Sequence, residues 1–131
     1  MIFDTDIFIW AQRGNVKAAK CLEGASMRQL SIQTYMELLQ GAKNKEQHAY
    51  IKDFLVEFNF EILSLTENIG HRAAIYIEEY SLSSGLRAGD AIIAATATEH
   101  HLELMTSNVK HFRTIRDLKL KPFKPYGLAK Q

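Results

Sequence analysis

Residues 90–97 read Asp90-Ala91-Ile92-Ile93-Ala94-Ala95-Thr96-Ala97, and this stretch decides the fold. After Asp90 the segment is apolar on nearly every side of a helix. A helix of that kind is buried all round, and so belongs in the middle of a sheet-and-helix sandwich. We therefore predict a buried helix that opens at Asp90.

Short apolar runs of strand type alternate with helical segments along the rest of the chain. The predicted strands are residues 1–3, 28–32, 60–65, 102–106 and 118–122, and the predicted helices are residues 7–10, 16–22, 33–42, 46–58 and 66–83. Pro122 places the fifth strand at an edge or strand end. Because parallel neighbours need long crossovers, this order predicts an α/β fold with a central, mostly parallel sheet of four to five strands flanked by helices. With no repeat or linker, residues 1–131 form one domain.

Length and composition fit that expectation. The chain has 131 residues, of which 47% are hydrophobic and 24% charged, the profile of one globular domain. No apolar run reaches the ~18 residues that a membrane span needs, and no export signal opens the chain. Because Cys21 has no partner for an internal disulfide, we expect a reduced, cytoplasmic protein.

Charge is unevenly divided although the total is only +1. Residues 110–131 carry seven Lys or Arg against one Asp, a formal charge of +6, and residues 1–109 carry −5. The basic end is either a solvated tail or a surface that faces a polyanion, and the sequence alone leaves both open.

Polar residues follow the predicted strands at the edge where parallel α/β sheets bind ligands. Asp4 ends the first strand, Glu37 lies one turn into the helix after the second, and Asn108 follows the fourth. Asp90 opens the buried helix, and Asp6 is a possible fifth member. Converging carboxylates repel one another unless a cation lies among them, and hard cations such as Mg²⁺ or Mn²⁺ prefer oxygen ligands.

Each of these residues taken alone also has a simpler explanation. Asp4 and Asp90 suit helix caps, and Glu37 suits a capping box with Thr34. Asn108 suits a turn after Ser107. The metal-site hypothesis therefore rests on all four residues falling at one edge of the sheet.

The remaining candidates favour packing or surface roles. The histidines have no zinc-ligand spacing, and Cys21 lies on an apolar helical face. Four aromatic residues are more than a small core strictly requires, and packing in the core is their first expected role: Tyr50, Phe54, Phe58 and Phe60.

Four segments together resemble the PIN-domain ribonucleases, specifically VapC-type toxins of toxin–antitoxin pairs. They are residues 2–6 (Ile-Phe-Asp-Thr-Asp), residues 31–38 followed by Gly41, residues 90–97, and residues 106–112 (Thr-Ser-Asn-Val-Lys-His-Phe). The match covers nearly the whole chain in order, and the Asp90 segment is its most specific part.

The resemblance implies a metal-binding role for Asp4, Glu37 and Asp90, and assigns Asn108 to a fourth position that is often Asp. Asn108 supplies an oxygen or orients water but adds no charge. His111 stands where many relatives have an acidic residue, which makes this loop less negative.

The implied activity is Mg²⁺-dependent endoribonucleolytic hydrolysis, with Mn²⁺ able to substitute. The four site residues are the predicted catalytic group, with Asp4 and Asp90 as direct metal ligands and Glu37 as a ligand or base. Asp6 and Thr106 are predicted to support those ligands by hydrogen bonds. The predicted RNA-binding cations are Arg13, Lys110, Arg113 and Arg116.

The resemblance further implies a cognate antitoxin of VapB type that orders on binding, a homodimer, and no membrane association. With such partners, part of the aromatic surface at residues 50–60 could be shared with another chain. The alternative is a non-catalytic PIN-like module that binds RNA or protein, with Asn108 marking a partly decayed site.

Overall fold

Strands and helices alternate along the chain, as the sequence predicts. The computed structural model describes residues 1–126, and this part of the chain holds five strands and seven helices. The strands are β1 (Ile2–Phe3), β2 (Gln29–Ser31), β3 (Glu61–Leu63), β4 (Leu104–Thr106) and β5 (Leu120–Pro122). The helices are α1 (Thr5–Gln12), α2 (Val16–Gly24), α3 (Ile32–Gly41), α4 (Lys45–Glu57), α5 (Glu67–Ser84), α6 (Ala88–Glu99) and α7 (Val109–Phe112). Lys130 and the end of the predicted 1–131 domain lie outside the described residues.

The sheet has the order β3-β2-β1-β4-β5, with every neighbouring pair parallel. The predicted parallel α/β sheet is therefore confirmed, with β5 at an edge as Pro122 indicates. The chain starts in the centre, builds outward through β2 and β3, and then returns to the other side of β1. This reversal places a topological switch point between β1 and β4, where parallel sheets form a crevice at the carboxyl ends of their strands.

Helix α6 is as buried as its composition predicts. Ala91, Ala94, Ala95 and Ala97 have no exposed surface, and Ile93 is 1% exposed. Small side chains let this helix lie close to α5 and the sheet. Together with α5 and α7 it forms the core on one face, and α1 to α4 cover the other face.

Three local predictions need correction. The N-cap of α3 is Ser31, whose hydroxyl accepts a hydrogen bond from the Thr34 amide, so Thr34 is not the cap and Glu37 does not close a capping box. The third strand ends at Leu63, and Leu65 beyond it is 54% exposed. Helix α6 begins at Ala88, so Asp90 lies in its first turn rather than at its start.

Within residues 1–126, no helix combines the length and the hydropathy that crossing a membrane requires.

Candidate active site

Asp4 lies at the carboxyl end of β1, where it is both the N-cap of α1 and a buried carboxylate. Its Oδ1 accepts a hydrogen bond from the Thr5 amide at 2.7 Å, and its Oδ2 accepts one from the Thr106 hydroxyl at 2.7 Å. Only 6% of the residue is exposed. The first residue of α1 and the last residue of β4 therefore hold this carboxylate at the switch point.

The environment of Asp4 disfavours its negative charge. The pKa of its carboxyl is raised to about 7, chiefly because the residue is buried and also because Asp6 and Asp90 carry like charges. The hydrogen bonds from Thr106 and Thr5 act in the opposite direction. A cation close to Asp4 would relieve both the burial and the repulsion.

Asp6 is the second acidic residue at this edge, two residues further along the chain. Its Oδ2 accepts hydrogen bonds from the amide of Ser107, at 3.0 Å, and from the Ser107 hydroxyl. Its Oδ1 is buried and has no hydrogen-bond partner among the described residues. Burial raises the pKa of Asp6 as well. An orphaned carboxylate oxygen beside a second buried carboxyl suits a bound cation or an ordered water.

Asp90 and Asn108 approach the same edge from α6 and α7. Asp90 Oδ2 accepts a hydrogen bond from the Arg87 amide at 3.2 Å, and Asn108 is the N-cap residue of α7. The backbone amide of Asn108 donates a hydrogen bond to Thr106 Oγ1 at 2.9 Å. His111 joins the two, because its Nδ1 lies 2.9 Å from Asn108 Nδ2 and 3.3 Å from Asp90 Oδ2.

Glu37 projects from α3 and is held by two neighbours. The Thr5 hydroxyl donates to its Oε1 at 2.5 Å, and the Gln33 side-chain amide donates to its Oε2 at 2.8 Å. A Cβ built at Gly89 would lie 2.9 Å from Glu37 Oε2. The absence of a side chain at Gly89 thus lets the first turn of α6 approach Glu37 closely.

Polar contacts connect Asp4, Glu37, Asp90 and Asn108, whereas the side chain of Asp6 is held by Ser107 instead. Thr5 connects Asp4 to Glu37, and a second path runs from Asp4 through Thr106 and Asn108 to His111, whose Nδ1 lies 3.3 Å from Asp90 Oδ2. Among residues 1–126 no three Asp, Glu, His or Cys side chains are close enough to hold one cation by themselves. Mg²⁺ usually retains several waters and takes only one or two carboxylates, so the residues present fit such an ion.

The predicted RNA-binding cations occupy different places. Lys110 and Arg113 are exposed on and just after α7, next to Asn108. Arg13 follows the far end of α1, roughly 13 Å along the helix from Asp4 at the usual rise per residue. Arg116 lines a cleft against α5 that also contains Glu79, so it is not part of the group around Asp4.

Several polar residues at the site are missing from the sequence prediction. Thr5 and Gln33 hold Glu37, Ser107 holds Asp6, and His111 contacts Asp90. Only Gln33 has a usable signal, because residues four apart on a helix are neighbours. The other contacts join residues from different elements, which spacing along the chain does not reveal.

Comparison with known proteins identifies the family of this fold. The family model described as PIN domain matches residues 1–118. The chain belongs to the PIN domain family. The match includes Asp4, Glu37, Asp90 and Asn108 and ends before β5.

Relatives of this PIN domain are of VapC type. It is 31% identical over 123 residues to Ribonuclease VapC10 from Mycobacterium tuberculosis, covering 91% of this chain and 90% of the relative. A solved toxin–antitoxin complex from Klebsiella pneumoniae has a chain that is 34% identical with a TM-score of 0.77, covering 97% of this chain and 98% of that one. VapBC-1 from nontypeable Haemophilus influenzae is 27% identical with a TM-score of 0.76, covering 93% and 98%. The resemblance to VapC-type PIN domains is therefore confirmed.

Asp4 is expected to make the metal-free PIN domain less stable as the pH rises. Its folded-state pKa of about 7 exceeds the ordinary value of 3.8, so the folded state binds the proton more tightly than the unfolded state does. The resulting stabilisation is fully present below about pH 4 and is lost as the pH rises through about 7. We therefore expect the free energy of unfolding of Asp4→Asn to increase relative to that of the parent chain between pH 5 and pH 8, by on the order of a few kcal/mol. The measurement is urea unfolding with a chelator present.

Asp53→Asn is the matched control. It makes the same chemical change at a residue that is exposed on α4, away from the site. An Asp4→Asn chain that loses stability with pH as steeply as the parent would contradict this account of Asp4.

Proposed function

We propose that this PIN domain is a divalent-metal-dependent endoribonuclease, the toxin of a toxin–antitoxin pair, and that its cognate antitoxin inhibits it. The observation that carries the proposal is the position of Asp4, Glu37 and Asp90 in one group at the switch point of the sheet, where hydrogen bonds connect Asp4 to Glu37 and to Asn108 and His111 contacts Asp90. The relative named Ribonuclease VapC10 supports the activity, and the toxin–antitoxin complexes among similar structures support the partner.

Asp4 and Asp90 are the proposed direct ligands of Mg²⁺, for which Mn²⁺ can substitute, and Glu37 binds directly or through water. When bound, such an ion neutralises charge that develops on the phosphate and lowers the pKa of a coordinated water. The unpartnered Asp6 Oδ1 and the raised pKa of Asp4 support a cation at this place. Asp6 and Thr106 support the ligands, since Thr106 donates to Asp4 and Asp6 fixes the loop at Ser107.

Phosphodiester hydrolysis requires a water oxygen to add to phosphorus, a P–O bond to break, and the water proton to be removed. Glu37 is the proposed acceptor of that proton. Its hydrogen bonds from Thr5 and Gln33 orient the carboxylate at the edge of the site. Asn108 adds no charge and orients water or substrate through its amide. Asp4, Asp90, Glu37 and Asn108 thus form the proposed catalytic group.

Binding of RNA to an acidic site requires cations nearby. Lys110 and Arg113 are the best placed of the proposed set, because they follow Asn108 along α7 and are exposed. Arg13 and Arg116 lie farther from this group and would contact more distant phosphates.

An apolar groove between α1, α2, α3 and α4 is the proposed antitoxin site. Its walls include Phe8, Leu22, Leu38, Ile51 and Phe54. Tyr50 lines the groove and is 66% exposed, which is unusual for a large aromatic side chain. A partner segment that orders on binding would cover this surface with its own apolar residues.

Tyr50→Glu is expected to weaken binding of the antitoxin at least about tenfold, because it places a charge on the apolar wall. We expect a short protein with a DNA-binding N-terminus to be encoded immediately upstream. That protein is the antitoxin to be tested, and the measurement is its dissociation constant by calorimetry. Val56→Glu is the control, since Val56 is 77% exposed on the same helix but does not line the groove. Equal affinities of the two variants would exclude this groove as the docking site.

The proposed homodimer is checked separately by light scattering of the purified chain. Exposed apolar residues on α5 support such a contact, with Leu82 fully exposed and Ile75 at 38%. A monomer at micromolar concentration would contradict it.

Gly89→Ala is expected to lower RNA cleavage at least about tenfold without lowering stability. The new Cβ would stand 2.9 Å from Glu37 Oε2 and 3.1 Å from Gln33 Nε2, so both flexible side chains must move. Alanine also favours a helix over glycine by up to about 1 kcal/mol. The measurements are the cleavage rate and the urea midpoint.

Gly70→Ala makes the same change in α5, where an added Cβ meets nothing within 4 Å. We expect it to keep full activity. Unchanged activity of Gly89→Ala would show that the position of Glu37 does not matter.

Induced expression in a bacterial host tests the proposed function. The intact chain should arrest growth and produce new RNA ends, and co-expression of the upstream protein should relieve the arrest. An Asp90→Asn chain that arrests growth equally would favour a non-catalytic module that binds RNA or protein.

A further inference from the structure

His111 lies against the proposed metal ligands but has no role in the function proposed above. It is in α7, and the neighbouring Phe112 is fully buried and anchors this short helix in the core. The imidazole Nδ1 lies 3.3 Å from Asp90 Oδ2 and 2.9 Å from Asn108 Nδ2. One ring nitrogen therefore lies between a hydrogen-bond donor, Asn108 Nδ2, and a hydrogen-bond acceptor, Asp90 Oδ2.

These two contacts make different demands on Nδ1. A ring nitrogen that accepts a hydrogen bond from the side-chain amide of Asn108 carries no proton, so no hydrogen then lies between Nδ1 and the nearby carboxylate of Asp90. A protonated Nδ1 could donate to Asp90, but charge-assisted N–H···O bonds are about 2.7–2.9 Å long and this separation is 3.3 Å. The geometry does not favour a tight ion pair.

The same separation suits two ligand atoms on one cation. Metal–ligand bonds of about 2.0–2.3 Å place neighbouring ligand atoms roughly 3 Å apart. Nδ1 of His111 and Oδ2 of Asp90 have this spacing. Because Nδ1 has a single lone pair, a cation bound there would replace the hydrogen bond from Asn108 Nδ2.

We propose, on the basis of the function proposed above, that His111 Nδ1 is a ligand of the same cation as Asp90. The donor set then contains an imidazole nitrogen besides carboxylate oxygens. Mg²⁺ is a hard ion that takes oxygen ligands, whereas first-row transition ions also bind imidazole. The site therefore prefers Mn²⁺ and later transition ions to Mg²⁺.

Pulsed electron paramagnetic resonance of the full chain loaded with Mn²⁺ tests this directly. An imidazole bound to Mn²⁺ modulates the electron spin echo through its ¹⁴N nucleus. A purely structural role of His111 would not produce this modulation. We expect that modulation in the intact chain and its loss in His111→Asp. By calorimetry, the ratio of Mn²⁺ to Mg²⁺ affinity should fall at least about tenfold in this variant.

His71→Asp is the control, because His71 is exposed on α5 and its loss should leave both readouts unchanged. Mn²⁺ that binds the intact chain without ¹⁴N modulation, a result that needs no variant, would overturn the role of His111 and leave the proposed function standing. Modulation that persists in His111→Asp would overturn it as well. Failure of the intact chain to bind either ion would overturn both proposals.

Discussion

Asp90→Asn is expected to reduce RNA cleavage by this PIN domain at least about 1,000-fold, equivalent to about 4 kcal/mol of transition-state stabilisation. Asparagine keeps the shape and one oxygen of the side chain but removes the charge that a metal ligand needs. That oxygen can still accept the hydrogen bond from the Arg87 amide at the start of α6. The substitution should therefore remove activity while the fold is retained.

The measurement is the single-turnover cleavage rate together with the thermal midpoint of unfolding. The midpoint should be unchanged or higher, because the charge of Asp90 contributes to the repulsion at Asp4. Asp53→Asn on α4 repeats the chemical change at an exposed position and should retain full activity. Full activity of purified Asp90→Asn would remove Asp90 from the site.

Thr106→Val is expected to destabilise the PIN domain by about 2–4 kcal/mol, although valine has nearly the same volume as threonine. Thr106 is fully buried, and its hydroxyl donates to Asp4 Oδ2 at 2.7 Å and accepts from the Asn108 amide at 2.9 Å. Valine leaves a buried carboxylate oxygen and a backbone amide without this partner. Affinity for the metal should fall as well, by roughly 10–100-fold, because the orientation of Asp4 is lost.

Thr106→Ser separates the hydroxyl from the packing. Serine keeps both hydrogen bonds and loses one methyl group, which costs about 1 kcal/mol. In urea unfolding at pH 8, where Asp4 is largely ionised, the free energy of unfolding of Thr106→Ser should therefore be higher than that of Thr106→Val. The reverse order would show that packing of the methyl groups, rather than the hydroxyl, matters at this position.

The fold was predictable because its signals are local. The apolar composition of residues 91–97 indicates a helix buried on all sides, and such a helix needs layers around it. Short strands separated by helices then require parallel pairing. The strand order could not be predicted from the sequence, because pairing of β1 with both β2 and β4 depends on contacts across the whole chain.

The candidate site was predictable only in outline. Residues that follow parallel strands must meet at one edge, which is why Asp4 and Asn108 could be placed together. The role of Glu37 required the structure, because the capping box expected with Thr34 is replaced by a hydrogen bond from Thr5 in another helix. The contact of His111 with Asp90 joins α7 to α6 and has no signature in sequence spacing.

The uneven charge of the chain takes a clearer form in three dimensions. Lys110 and Arg113 belong to the basic end and adjoin the acidic group, because α7 begins at its N-cap Asn108. Lys119 and Lys121 lie instead on or beside the edge strand β5. The basic segment is thus divided between the rim of the site and the edge of the sheet, and its first part is the one suited to hold a polyanion there.

The most direct test of the central claim is to incubate the purified chain with total RNA and Mg²⁺ or Mn²⁺, with and without EDTA, and to map the 5′ ends that appear. The account predicts discrete cleavage sites that form only with a free divalent ion and are absent when Asp90→Asn replaces the intact chain. Cleavage that continues in excess EDTA, or that Asp90→Asn performs equally well, would contradict it.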